Sequence, residues 1–243
     1  MLKRLPALFA FTSLGLVMSA PAYAAPNCVA VRQTPRMLLS DARELARHEW
    51  STLAIGLGAA ALVHPLDDNA DKWVDERPKS DLTAFGQYAG SWTAQAPLLT
   101  GMLTASAFQG CLGPGSADMV RAELWVLGLT SALKFSIQRE RPNHESLHVS
   151  FPSGHSASTF ALATVAQRHL GWKVGVPAYG IATYTAWSRV RDNKHWISDT
   201  VFGSALGIAI GRATTSTGRQ SNWLVMPSAS RGGASLQFVR QAH

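Results

Sequence analysis

The chain has 243 residues, 47% of them hydrophobic and 15% charged, with 22 Lys and Arg against 15 Asp and Glu. That is enough chain to enclose a full core, and a mean hydropathy of +0.03 is low for a protein built from many membrane spans. Two cysteines exclude a disulfide-dense scaffold, and no Lys/Arg run interleaved with aromatics suggests a nucleic-acid surface, so no nucleic-acid partner is expected.

Residues 1–24 read as a secretory leader. "MLKR" is a positive start, "LPALFAFTSLGLVM" an apolar run, and "SAPAYA" a small-residue end that predicts cleavage after Ala24. The apolar run is short for a span of roughly 20 residues, which argues against an anchor helix. The "APN" before Cys28 is no lipobox. Export to the periplasm, with association at a membrane surface left open, is the expected location. Without Lys3 and Arg4 the formal charge falls from +7 to about +5, a basic excess that suits an anionic substrate or a membrane surface.

An N-terminal arm, residues 25–36, precedes a helical domain expected over 37–220. Residues 37–65 are amphipathic in "MLLSDARELARHEW" and then apolar nearly all round in "STLAIGLGAAALVH". "LDDNADKWVDERPKS" (66–80) is a polar connector. It begins like a calcium loop with Asp67, Asn69 and Asp71, but Lys72 replaces the required Gly and Pro78 the bidentate Glu, so it reads as a solvated turn. Residues 81–112 carry no charge after Asp81. "CLGPGSAD" (111–118) is a turn with Ser116 or Asp118 as the N-cap of the next helix.

Further helices are expected over about 119–138, 154–170, 174–188 and 196–213. Lys173 and Arg189 bracket only 15 residues, and Asp199 and Arg212 only 12, against about 20 for a span. A soluble or peripheral helical domain is therefore favoured over an integral one, although Trp50, Trp172 and Trp187 sit at segment ends as interface tryptophans do. Gly203, Gly207 and Gly211 recur every four residues and predict close packing within the bundle. "NWLVMPS" and "ASLQFVR" in the tail (221–243) predict a short β-hairpin or extended segment. The fold class is thus all-α: a compact bundle of about six helices with a short extended or hairpin tail. Cys28 and Cys111 either pair and tie down the arm or stand as two free thiols; no Cys/His cluster suggests a metal.

Three stretches carry chemistry. "SRVRDNKHWISD" (188–199) sets His195 four residues before Asp199, one turn apart on a helix, so that the carboxylate can fix the ring tautomer and leave the other nitrogen as base or nucleophile. Arg189 just upstream would stand beside that imidazole, as attack on an anionic centre requires. "KFSIQRERP" (134–142) ends a helix with Lys134, Arg139 and Arg141; the same cations would also serve as plain C-terminal capping. "FPSGHSAS" (151–158) leads through Pro152 and Ser153 into a helix whose free first amides can hold an anion, with His155 in the first turn. Arg191, Asp192 and Lys194 are left to a solvated loop.

Together, Lys134…Arg141-Pro142, Pro152-Ser153-Gly154-His155 and Ser188-Arg189…His195…Asp199 resemble, without a gap, the three-part signature of the type 2 phosphatidic acid phosphatase superfamily. That superfamily includes lipid phosphate phosphatases, bacterial non-specific acid phosphatases, glucose-6-phosphatase and vanadium haloperoxidases. The resemblance implies an all-helical core and a phosphohistidine mechanism. His195 would attack phosphorus, Asp199 would orient it, and His155 would protonate the leaving group and then activate water. Lys134, Arg141 and Arg189 would neutralise the phosphoryl oxygens, helped by the Ser153 hydroxyl and the Gly154 amide. It implies no cofactor, no metal, and inhibition by vanadate. The leading expectation is an exported, metal-independent phosphatase of phosphomonoesters, its partner a phosphorylated small molecule. The alternative is a lipid phosphatase acting at a membrane surface on phosphatidate, phosphatidylglycerophosphate, polyprenyl pyrophosphate or lipid A. A vanadate-dependent haloperoxidase ranks below both.

Overall fold

The computed structural model describes residues 33–67, 112–143, 148–217, 223–230 and 233–240, with Val29 and a few positions between 86 and 104. The leader, both cysteines and the body of the 66–80 connector lie outside the described residues.

Six described helices build the molecule: α1 (Thr34–His48), α2 (Trp50–Val63, continued by a 3-10 turn His64–Leu66), α3 (Pro114–Ile137), α4 (Gly154–Leu170), α5 (Trp172–Arg191) and α6 (Ile197–Thr217). Strands β1 (Trp223–Ser230) and β2 (Gly233–Arg240) pair antiparallel from Trp223 with Arg240 to Ser230 with Gly233, as the alternation in the tail predicts. Among the described residues no helix is long and apolar enough to cross a membrane.

The boundaries differ from the sequence reading where a backbone signal outweighs side-chain capping. α3 starts at Pro114, not near 119, because proline's fixed φ suits a first helical turn and Gly113 takes the cap position. Asp118 is thereby drawn inside the helix and buried. Helix α1 starts at Thr34 with Pro35 in its first turn, so the expected arm is already helical by its last residues. The arm is tied down further back, where Val29 and Leu112 exchange backbone hydrogen bonds at 3.0 Å. The α4–α5 corner turns on Gly171 at φ 81, a conformation costly for any residue with a Cβ.

Helix α6 is the axle. Its face of Phe202, Leu206 and Ile210 closes a core with Ala60, Ala122, Val126, Ala157, Ala161 and Val165. The glycine ladder does what its spacing predicts. A Cβ on Gly203 would lie 2.6 Å from the Ser153 carbonyl oxygen, one on Gly211 2.8 Å from that of Ala161, and one on Gly207 would overlap the Ala157 carbonyl outright. Backbone-to-backbone packing of α4 on α6 leaves nothing that can yield. Gly207→Ala is therefore expected to destabilise by about 1–3 kcal/mol, despite alanine's better helix propensity. The measurement is the urea midpoint, which should fall at constant m-value.

A buried ionic knot fixes the opposite end. Arg121, 1% exposed, donates from Nε to Asp41 Oδ2 at 2.8 Å and from Nη2 to the Thr214 carbonyl at 2.6 Å. Its Nη2 also lies 3.0 Å from Asp118 Oδ1, and Asp118 Oδ2 lies 2.8 Å from His169 Nε2. Helices α1, α3 and α6 meet on this one guanidinium, and α4 joins the knot through His169 on Asp118.

Candidate active site

Each charged stretch sits where a helix starts or stops, and the bundle brings those ends to one place. α3 delivers Lys134 in its last turn and then reverses through Gln138, whose left-handed φ of 50 releases the chain toward Arg139 and Arg141. Helix α4 begins at Gly154 with His155 next. The end of α5 supplies Arg189, and a turn through Asn193 at φ 56 returns the backbone so that the His195 N–H donates to the Arg189 carbonyl at 3.3 Å. Lys134, Arg141, Gly154, His155, Arg189 and His195 all line one cavity of about 260 Å³.

Two expectations shift on inspection. His195 precedes α6 and is not part of it, since the helix starts at Ile197. Asp199 sits in the first turn, where its Oδ2 accepts from the Trp196 backbone N–H at 3.0 Å, as an N3 carboxylate does in a capping box. His195 Nδ1 faces this carboxylate at 3.7 Å, an ion-pair distance longer than a hydrogen bond. Ser153 does not line the cavity: it is fully buried as the N-cap of α4, its Oγ accepting from the Ser156 N–H at 3.4 Å. The amides of the first turn, Gly154 above all, are left as the anion-facing part of that motif.

Asp199 is held by groups that local reading missed. Arg139 Nη1 donates to its Oδ1 at 2.6 Å, and Ser150 Oγ donates to its Oδ2. Arg139 is itself clamped by Asp67, Nη2 to Oδ2 at 2.8 Å, while Asp67 accepts from the Ser198 N–H at 3.1 Å and the Ser198 hydroxyl at 2.6 Å. Asp67 is buried, so the solvated-turn reading of its position is wrong; Asp192, also assigned to solvent, is 7% exposed. Arg139 thus differs from its neighbour Arg141: one braces the carboxylate behind His195, the other lines the cavity. Gly90 belongs to the wall too, because a Cβ there would lie 2.8 Å from His155 Cβ and from Thr185 Cγ2. No periodicity or motif marks Asp67, Gly90 or Ser150.

The electrostatics suit an anion. Burial, then the charges of Arg141 and Arg189, push Lys134 down to about 8, with Asp199 opposing. Burial and the surrounding cations push His155 down to about 3. For His195 burial dominates again, and with Lys134 and Arg189 it outweighs the nearby Asp199 to give about 4. Both imidazoles are therefore neutral at pH 7. Burial would raise Asp199, but His195, Ser150 and Arg139 hold it below the ordinary carboxylate value. The result is a cage of three cations around two neutral imidazoles, one of them backed by a fixed carboxylate.

A cation cage with a carboxylate-backed imidazole, set at the converging ends of a helical bundle, is a site suited to hold an anion. A model of the PAP2 superfamily matches residues 117–223. Over 145 residues the chain is 30% identical to decaprenylphosphoryl-5-phosphoribose phosphatase of Mycobacterium tuberculosis, covering 56% of this chain and 77% of that protein. Over 87 residues it is 39% identical to lipid A 1-phosphatase of Porphyromonas gingivalis, covering 35% of this chain but only 19% of that longer protein. The fold is shared with a transmembrane PAP2-type phosphatidylglycerolphosphate phosphatase of Bacillus subtilis, at TM-score 0.58, 22% identity, and coverage of 69% of this chain and 94% of that one. It is also shared with Aquifex aeolicus LpxE, at TM-score 0.51, 21% identity, and coverage of 62% and 95%. The chain belongs to the PAP2 superfamily.

Proposed function

We propose that this protein is a lipid phosphate phosphatase, which removes the phosphoryl group of a phosphomonoester on a lipid through a phosphohistidine. The observation that carries the reading is the cavity that joins Lys134, Arg141 and Arg189 to His155 and His195. With His195 Nδ1 turned to Asp199, Nε2 is the nitrogen left to attack phosphorus. The N–P bond forms as the P–O bond to the leaving group breaks, and the proton on His155 goes to the departing oxygen. A water then gives its proton back to His155, attacks phosphorus and frees His195 and inorganic phosphate. The three cations offset the charge that develops on the phosphoryl oxygens, and positioning with charge stabilisation is most of what phosphoryl transfer needs. His155 is neutral in the empty site, so its proton arrives with the bound anion, whose negative charge raises the imidazole's affinity for it.

The small soluble substrate favoured by the sequence alone is less well supported than a lipid. The relatives are phosphatases of lipid A and of a decaprenyl-linked phosphoribose, and apolar side chains such as Trp50, Leu62, Phe135, Trp172 and Val176 are exposed. The leader expected over residues 1–24 is consistent with action at the periplasmic face of a membrane.

A substrate panel tests this reading. Phosphatidylglycerophosphate and lipid A in detergent micelles should be hydrolysed with kcat/KM about tenfold or more above p-nitrophenyl phosphate and nucleotides, undiminished by EDTA. Preference for the soluble esters without detergent would instead support the small-molecule enzyme.

The pH profile tests the cage. Because kcat/KM reports the free enzyme, it should fall as pH rises through about 8, where Lys134 loses its charge. Lys134→Arg, with a guanidinium that stays charged, should move that limb upward. A wild-type limb near the ordinary lysine value of about 10.4 would contradict the assignment.

A further inference from the structure

The cavity continues beyond the cations. On α3, Glu123, Leu127, Thr130 and Lys134 fall on one stripe, and on α4 His155 and Ser158 are one turn apart; all of them line the same 260 Å³ space. At its far end Ser158 Oγ donates to Glu123 Oε1 at 2.6 Å. Glu123 is 4% exposed, and its second carboxylate oxygen has no hydrogen-bond partner among the described residues. Among the described residues no cation offsets it: burial pushes the carboxyl up to about 7, with the Ser158 hydroxyl opposing.

A half-satisfied buried carboxyl is costly. The Ser158 bond links α4 to α3 through Glu123 Oε1, but the second carboxylate oxygen is open to the cavity and plays no part in that contact. α3 and α4 also meet through Ala122 and Val126 against Ala157 and Ala161. The carboxyl's place along the cavity gives it a use. Residues three apart on a helix have Cβ atoms about 5–6 Å from each other, so a chain of roughly three to six carbons reaches from His155, where the leaving oxygen departs, to the Glu123–Ser158 pair. We propose that Glu123 and Ser158 form a subsite that accepts a hydroxyl or amine on the leaving group, selecting phosphomonoesters of polyols or amino alcohols over those of plain alkyl chains. The proposal rests on the phosphatase reading, in which His155 marks the leaving-group side.

Equilibrium binding to the full chain carrying His195→Ala, in which no turnover intervenes, separates the two ideas. Glycerol phosphate and n-propyl phosphate differ only in two hydroxyls. Calorimetry should give glycerol phosphate a Kd about tenfold lower, and adding Glu123→Met should reduce the preference to about twofold or less. Ser158→Ala should weaken it in the same direction. The melting temperature of the Glu123→Met protein should hold or rise, since an apolar side chain replaces a poorly paired carboxyl. Equal or undetectable binding of the two ligands, or a preference that survives Glu123→Met, would overturn the subsite. Hydrolysis of p-nitrophenyl phosphate by the unmutated chain tests the phosphatase reading and does not enter the comparison of Kd values.

Discussion

His195→Ala is expected to remove turnover on every phosphomonoester, by a factor on the order of 10⁴ or more, while the protein stays folded and still binds phosphate. The variant deletes the nucleophile but leaves Lys134, Arg141 and Arg189 around the cavity. Its stability should suffer little at neutral pH. The imidazole is buried and neutral there, and its low folded pKa means that the unfolded chain binds the proton more readily. His195 therefore makes the folded protein lose stability as pH falls from about 6.5 toward 4, a loss the variant escapes. His155→Ala should behave differently. General acid catalysis is worth about 10²–10⁴-fold, so its removal should hurt alkyl phosphates strongly and p-nitrophenyl phosphate, whose leaving group needs no proton, much less. Equal losses on both substrates would refute the acid role.

The second large effect is on stability. Arg121→Ala should cost about 3–5 kcal/mol, because it leaves Asp41 and Asp118 buried without their cation. Against a total stability of about 5–15 kcal/mol, that is enough to bring the unfolding midpoint close to working temperature. Burial already raises Asp118 in spite of His169 and Arg121. A carboxyl with a raised folded pKa stabilises below its unfolded value and loses that contribution as pH rises through the folded one. The Arg121→Ala deficit should accordingly be smaller near pH 4 than near pH 7.5, as urea melts at the two pH values would show. Replacing Asp41, Asp118 and Arg121 together by apolar residues of similar volume should recover most of the loss. Failure to recover would mean that the knot specifies the packing of its four helices and does more than avoid an unpaired charge.

What the residues disclose on their own, and what they hide, divides along sequence distance. Lys134, Arg141, Gly154, His155, Arg189 and His195 lie within three short runs; each alone allows a plain structural reading, and only together do they resemble the superfamily's signature. Ser153 belongs to one of those runs, yet in the fold it is the cap that starts the helix. Asp67 could not be read locally. It lies 131 residues from Ser198 and 72 from Arg139, in a stretch whose charge looks like a solvated turn. Only the packing of the α2 end against the start of α6 buries it. Arg139 was visible as a cation, but capping and bracing cannot be told apart until the carboxylate it meets is known. Asp118 shows the reverse error, a good N-cap candidate displaced by Pro114 and used instead in the buried knot. The glycine ladder was legible because its message is geometric: a smooth stripe every four residues predicts close approach, whatever helix lies opposite.

The central step is transfer of the phosphoryl group to His195 Nε2. The most direct measurement is rapid acid-free quenching during turnover, digestion, and mass spectrometry of the peptide that carries His195. An acid-labile phosphoryl group is expected on His195, disappearing when excess substrate is consumed and never forming in His195→Ala. A phosphoryl group on another residue would contradict that transfer, as would full hydrolysis with no phosphoenzyme under conditions that trap one on His155→Ala.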